Sequence, residues 1–108
     1  MHKILIDRFT IPNNAQEEFS KQMAINRNFL RHLPGFIRDA VYFSKAQDES
    51  IHIVTFAEWE NQKSIDEAKE AVSMENRKRG FDREAMLDSY GIIMERGIFE
   101  AGENYETT

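Results

Sequence analysis

The chain has 108 residues, 41 % of them hydrophobic, which suits one globular domain with a core of its own. It contains no cysteine, which excludes disulfide bonds, thiolate metal sites and a cysteine nucleophile. The net charge of −5 argues against nucleic acid or an anionic membrane as the main partner, and no apolar run could span a bilayer. The opening MHKILIDRF lacks the apolar stretch of a signal peptide, so we expect a cytoplasmic protein.

The first predicted element is a strand over residues 3–11, KILIDRFTI, which is apolar on both faces and so typical of a covered central strand. After Pro12, Asn14 is the expected N-cap of a helix. This helix should run to about Leu33, because Pro34 disfavours helical geometry in the residue before it. Its apolar stripe recurs every three to four residues and comprises Phe19, Met23, Asn26, Leu30 and Leu33, widened by Ile25 and Phe29.

A turn and a hairpin are predicted next. Pro34 and Gly35 form the turn signal, and a second strand follows over residues 36–44. The polar segment 45–50 connects it to a third strand over residues 51–59, which should therefore be antiparallel to the second.

Two helices are predicted in the second half of the chain. Asn61 or Ser64 caps the longer one, which ends near Gly80. Asp82 is the expected cap of a short helix that runs to about Tyr90.

A last strand over residues 92–100 completes the order β-α-β-β-α-β, and residues 103–108 read as a polar C-terminal tail. This order, with its extra short helix, predicts a ferredoxin-like α+β plait over residues 1–102, in which two helices cover one face of an antiparallel sheet.

The uncovered face of this sheet predicts a homodimer. The strands carry large apolar side chains on both faces, Ile6 against Leu5 and Phe56 against Ile53, whereas a face left open to solvent should be mostly polar. The simplest resolution is a second copy stacked on it, which gives a dimeric α+β barrel. The alternative is that sheet twist and the short helix cover this face.

Two segments of the chain resemble the antibiotic biosynthesis monooxygenase (ABM) superfamily: LPGFI after the first helix, and VTFAEWENQKSIDEA where the third strand meets the second helix. The resemblance extends from Met1 to Glu100. It implies a dimeric barrel that holds a small molecule between sheet and helices, but it identifies the reaction less well than the fold.

The quinone-forming branch of this superfamily oxidises aromatic compounds with O₂ and no bound cofactor. Trp59 and Arg79 match its pattern, whereas Thr55 replaces its Asn and Ile65 replaces its Tyr.

The haem-degrading branch is a poorer match. Its Asn, Trp and iron-binding His positions hold Asp7, Ala68 and Lys78, and no histidine follows His52. No spacing of histidines with acids indicates a metal site, so we expect neither a metal nor another cofactor.

Trp59 and Thr55 are four residues apart on one strand and therefore point to the same face, which the resemblance makes the pocket side. Trp59 offers a stacking surface and one N–H donor, and Thr55 offers a hydroxyl to a substrate oxygen. The alternatives are a core tryptophan and an ordinary strand threonine.

Asp7 lies between Leu5 and Phe9 on an apolar strand face. Burying an unpaired carboxylate raises its pKa until it is neutral, which suits a base for a phenol. The alternative is an ion pair with Arg38 or Arg96.

Five further side chains complete the predicted site. Arg79 would hold a substrate oxyanion, or it is simply solvated at a helix end. The predicted substrate-binding residues are Asn26, Phe9, Met23 and Phe29, although all four also suit an ordinary core.

The leading expectation is a cofactor-independent monooxygenase that oxidises a small aromatic, phenolic or quinol compound with O₂. A non-catalytic dimer that binds a small molecule in the same pocket is the alternative. An isomerase- or decyclase-like reaction that needs only an acid and a base is a third possibility.

Overall fold

The computed structural model describes residues 1–101 and contains one four-stranded sheet and three helices. The strands are Lys3–Ile11 (β1), Phe36–Lys45 (β2), Ile51–Trp59 (β3) and Ile93–Phe99 (β4). The helices are Gln16–Leu30 (α1), Gln62–Lys78 (α2) and Arg83–Tyr90 (α3), with a 3₁₀ turn at Asn13–Ala15. All strand pairs are antiparallel in the order β2-β3-β1-β4, which confirms the predicted ferredoxin-like α+β plait.

β1 is a central strand, as its two apolar faces predict. The predicted tail over 103–108 lies outside the described residues. No helix within residues 1–101 combines the length and the apolar character that crossing a membrane requires.

The start of α1 differs from its prediction. Asn14 is not the N-cap; that position belongs to Ala15, which has no side chain able to cap. The N–H of Ala15 instead donates to the Pro12 carbonyl at 3.0 Å, so a 3₁₀ turn leads the chain into the helix. The helix also ends at Leu30 rather than Leu33, because the last N–H groups bond three residues back and tighten the final turn.

The other two helices are capped by polar side chains. Asn61, not Ser64, is the N-cap of α2, and its Oδ1 accepts the Ser64 N–H at 2.9 Å. Asp82 caps α3 as predicted and accepts the Ala85 N–H at 3.1 Å. Gly91 ends α3 with a positive φ of 68°, which glycine adopts without strain.

The apolar core between sheet and helices consists of two separate clusters. The first comprises Phe9, Ile11, Ala15, Phe19, Ile51, Ile53, Met86 and Ile92. The second, at the other end of the sheet, comprises Ala57, Trp59, Ile65 and Ala68. The two clusters anchor opposite ends of the helical layer, so the space between them is free to form a site.

The opposite face of the sheet, which we call the open face, keeps large apolar side chains exposed. Tyr42 is 62 %, Ile93 62 % and Phe99 52 % exposed. The short helix α3 does not cover them, because its Met86 packs in the first core cluster on the helical side. The alternative of coverage by the extra helix is therefore wrong.

Gly35 fixes the turn between α1 and β2. Its φ of +84° is left-handed, and its carbonyl accepts the Glu60 N–H at 2.9 Å, which ties this turn to the end of β3. A Cβ at this position would overlap the Ser64 side chain and lie 2.5 Å from its Cβ.

We expect Gly35→Ala to destabilise the fold more than Gly80→Ala, as measured by urea unfolding. Gly80 also has a positive φ, but a Cβ at this position would meet nothing within 4 Å, so its substitution should lower the free energy of unfolding by about 1–2 kcal/mol from backbone strain alone. Gly35→Ala adds overpacking against Ser64 and should reach about 3 kcal/mol. Equal effects of the two changes would show that the packing is not restrictive.

Candidate active site

A row of polar side chains crosses the helix-facing side of the sheet. The strand register places Asp7 opposite Thr55 on β3 and opposite Arg96 on β4. Directly opposite residues point to the same face, so these three share it. On β1, β3 and β4 the flanking rows of the same face are apolar: they comprise Leu5, Ala57 and Ile98 on one side and Phe9, Ile53 and Met94 on the other. On β2, Asp39 lies opposite Ala57.

Asp7 and Arg96 form a bidentate ion pair in this row. Arg96 Nε donates to Oδ1 of Asp7 at 2.7 Å and Nη2 donates to Oδ2 at 2.9 Å. Asp7 is only 9 % exposed, so water does little to stabilise its charge. Two parallel hydrogen bonds from one planar guanidinium stabilise that charge instead. The predicted alternative of an ion pair is confirmed with Arg96, whereas Arg38 pairs with Glu58 on the open face at 2.8 Å.

The polar row forms part of the wall of a cavity of about 690 Å³ between sheet and helices. This volume lies within the range of small-molecule sites. Seven of the eight predicted site residues line it, namely Trp59, Asp7, Thr55, Arg79, Asn26, Phe9 and Met23.

Phe29 does not belong to this lining. Viewed along the axis of α1, the residues that line the cavity point in about the same direction as Leu30. Consecutive residues on a helix point about 100° apart. Phe29 therefore faces a quarter of a turn away, so its assignment as a substrate-binding residue is not retained.

Trp59 is buried at the end of the cavity opposite α3, with only 1 % of its surface exposed. Its ring packs edge-on against Phe36, with centroids 5.5 Å apart. Its Nε1 has no hydrogen-bond partner among the described residues. Leaving a buried donor unpaired costs about 1–3 kcal/mol, and because almost none of the Trp59 surface is exposed, an acceptor from the cavity reaches this N–H only when neighbouring side chains move.

Arg79 is engaged with neighbouring side chains and is not simply solvated. It follows α2, and its Nη2 donates to the side-chain oxygen of Gln22 on α1. Its guanidinium also lies 5.1 Å from the centre of the Phe81 ring. Arg79 thus bridges two helices beside the cavity.

Arg83, in the first turn of α3, is a cavity residue that sequence reasoning did not identify. No carboxylate of residues 1–101 pairs with it, and its side chain is half-buried. Burial lowers the pKa of Arg83, and the nearby charge of Arg96 lowers it further, against the opposing charges of Asp7 and Glu84. No spacing in the sequence signals this residue, because α3 reaches the sheet only through tertiary packing.

Asp39 on β2 closes another side of the cavity. It accepts a hydrogen bond from Arg27 Nε at 2.6 Å and lies 3.4 Å from Arg31 Nε. Burial raises the pKa of Asp39, but the hydrogen bond and charge of Arg27, together with Arg31, outweigh it and hold the pKa below its usual value. Asp39 is therefore a paired structural anion.

The charged residues that line the cavity give it an excess of positive charge, although the whole chain carries −5. The cations are Arg27, Lys69, Arg77, Arg79, Arg83 and Arg96, and the carboxylates are Asp7, Asp39, Asp82 and Glu84. No group of three or more His, Asp or Glu side chains in the described part of the chain could hold a metal ion.

No protein-family model matches this chain, and no curated protein matches it in sequence. Solved structures do match. SnoaB, a cofactor-independent oxygenase from Streptomyces nogalater, is 22 % identical with a TM-score of 0.72 and 98 % coverage of both chains. A candidate antibiotic biosynthesis monooxygenase from Nitrosomonas europaea is 16 % identical, with a TM-score of 0.66 and coverage of 99 % of this chain and 94 % of that one.

A de novo designed protein, Foldit4, also matches, with 10 % identity, a TM-score of 0.57 and coverage of 94 % of this chain and 100 % of that one. At these identities the similarities establish only the fold. It is the same fold that the resemblance to the ABM superfamily implies. The reaction has to be argued from the cavity.

We expect Arg96→Met to destabilise the protein by about 3 kcal/mol, measured by urea unfolding at neutral pH, because it leaves the buried Asp7 without its cation. The control is Lys63→Met, which removes an exposed pair with Glu67 at 3.8 Å and should cost less than about 0.5 kcal/mol. An Arg96 variant as stable as the Lys63 variant would contradict the structural importance of the pair.

Proposed function

We propose that the protein is a cofactor-independent oxygenase of the ABM type that oxidises a small aromatic phenol or quinol with O₂. The observation that carries this proposal is the unpartnered N–H of Trp59 beside a cavity of about 690 Å³ whose sheet wall is crossed by polar side chains. The fold similarity to SnoaB supports it, since that protein is a cofactor-independent oxygenase.

The cavity suits a flat aromatic guest. Apolar side chains such as Leu5, Ala57 and Phe9 form much of its sheet wall. Trp59 and Thr55 are four residues apart on β3, so about 13 Å separates their backbones, enough for two or three fused rings. We assign the Trp59 N–H to a substrate oxygen at one end and the Thr55 hydroxyl to an oxygen near the polar row.

The substrate supplies the electrons in the proposed reaction. Loss of a phenolic proton gives an electron-rich anion. We assign Asp7 as the acceptor of that proton, because each of its oxygens keeps one lone pair beyond the hydrogen bond from Arg96. When a ring C–H of the phenol becomes the second carbonyl of a quinone, one oxygen atom of O₂ enters the product. The other leaves as water with the ring hydrogen and the phenolic proton, so no external reductant is needed. We assign Arg79 and Asn26, which line the cavity from the helical side, to the negative charge on the substrate.

Oxygen consumption with a panel of quinols and phenols tests this assignment. We expect Trp59→Phe to lower kcat/KM about tenfold, because one hydrogen bond is lost while the ring remains. Asp7→Asn should lower it at least about a hundredfold, since a general base is removed. Lys78→Gln, outside the cavity, is the control and should leave the rate unchanged.

Oxygen uptake that both Trp59→Phe and Asp7→Asn leave intact would contradict chemistry in this cavity. Saturable binding of the same compounds without O₂ uptake would instead favour the non-catalytic binding protein. Thermal unfolding of each variant shows whether a lost rate reflects a lost fold.

We also propose that two copies stack through the open face to form a dimeric α+β barrel. Tyr42, Ile93 and Phe99 are exposed on this face, and part of it is already packed: the Tyr42 and Phe56 rings stack with centroids 6.5 Å apart, and Arg38 lies 5.3 Å from the Phe56 ring centre. Contiguous exposed apolar surface is the usual mark of a protein interface. A two-fold axis would let each copy cover the other.

Two neighbouring residues of β2 give a matched test by sedimentation velocity. Tyr42 lies on the open face, whereas Phe43 points to the other side, and both are exposed, at 62 % and 78 %. We expect Tyr42→Asp to raise the dimer dissociation constant at least about tenfold and Phe43→Asp to leave it unchanged. A monomeric wild-type protein at micromolar concentration, or equal effects of the two changes, would contradict the interface.

A further inference from the structure

A second cation, Arg83, lies near the polar row of the cavity. Arg96 commits Nε and Nη2 to the two oxygens of Asp7, so this carboxylate is already satisfied by one cation. Arg83 lies close enough to sense both charges, lines the same cavity and has no carboxylate partner among the described residues. The charges of Asp7 and Glu84 reach Arg83, but neither carboxylate forms an ion pair with it.

The surroundings of Arg83 distinguish it from the other cations of the cavity. Lys69 and Arg77 are exposed, so water solvates them, and Arg27 and Arg79 have hydrogen-bond partners. Arg83 is half-buried and has no hydrogen-bond partner among the described residues. Burial lowers its pKa, because the charged form of the guanidinium is less stable there than in water. An anion placed beside it would remove that penalty.

We propose that Arg83 binds an oxyanion carried by the aromatic ring of the substrate, either a carboxylate or an ionised phenol. This inference rests on the proposed function, because it assigns the substrate class of the same cavity. A guanidinium presents several N–H donors in a planar fork, which matches an oxyanion better than a lysine would.

This assignment also orients the substrate. Its anionic group lies towards α3, and its ring extends over Leu5 and Ala57 towards Trp59. The reacting position then lies near Thr55 and Asp7, between the two ends. The cavity should consequently favour acidic aromatic compounds over neutral ones of the same shape.

Isothermal titration calorimetry with 2-naphthoate and its neutral counterpart 2-naphthamide tests the proposal. We expect the wild-type protein to bind the carboxylate about tenfold more tightly than the amide. Arg83→Gln should remove this preference while it changes the affinity for the amide less than twofold, and Arg83→Lys should keep part of it. Lys78→Gln makes the same change in net charge outside the cavity and should keep the full preference.

A third probe, 2-naphthol, identifies the source of the oxyanion. If it is an ionised phenol, binding to the wild-type protein strengthens as the pH rises through the ionisation of the naphthol, and Arg83→Gln abolishes this rise. A preference for 2-naphthoate alone assigns the site to a carboxylate.

Two results would overturn the role of Arg83 as a carboxylate site: equal binding of the carboxylate and the amide by the wild-type protein, or a preference for the carboxylate that survives in Arg83→Gln. The role as an oxyanion site is overturned altogether when, in addition, Arg83→Gln leaves the pH dependence of 2-naphthol binding unchanged. Selective binding that depends on Arg83 without any O₂ uptake would reject the oxygenase and leave the anion site standing. Failure of all three probes to bind would overturn both.

Discussion

The ion pair between Asp7 and Arg96 is the constraint on which the site depends. A carboxylate in the middle of a central strand cannot be packed into an apolar core unless a cation meets it in the right geometry. Arg96 meets this need because the β1–β4 register places it directly opposite. The consequence is that two apolar clusters form at the ends of the sheet, and the helices span a cavity between them.

Small side chains keep that cavity open. Ala57 on β3 and Ala68 on α2 belong to the same cluster and bring little volume to the space between the sheet and α2. Larger residues here would let the helical layer collapse onto the sheet, at the expense of a site for a ligand. The buried N–H of Trp59 has no partner among the described residues at one end of the same space, which is why we assign it to an oxygen of the substrate.

The strands were predictable from sequence to within a residue or two, because segments such as KILIDRFTI and IHIVTFAEW are rich in Ile, Val and Phe and contain no residue that breaks a strand. The caps of α2 and α3 were also predictable, because Asn61 and Asp82 are residue types that cap helices and stand directly before the helical segments. The start of α1 was not, since the 3₁₀ turn after Pro12 needs no capping side chain. Arg83 could not be found at all, because its importance arises from the position of α3 beside β4, which no local pattern encodes. The predicted strands limited the partner of Asp7 to Arg38 or Arg96, but only the strand order selects Arg96.

The polar row also determines how the two faces of the sheet can be used. A shift of β1 by one residue would turn Asp7 towards the open face and bury Arg8 or Ile6 in its place, so the cost of an unpaired charge opposes the slip. The same alternation that sends Asp7, Thr55 and Arg96 inward sends Ile6, Val54 and Phe56 outward. One register therefore fixes both faces of the sheet. It turns the polar side chains of the cavity wall inward and leaves the apolar side chains of the open face outward, where we propose that a second copy packs.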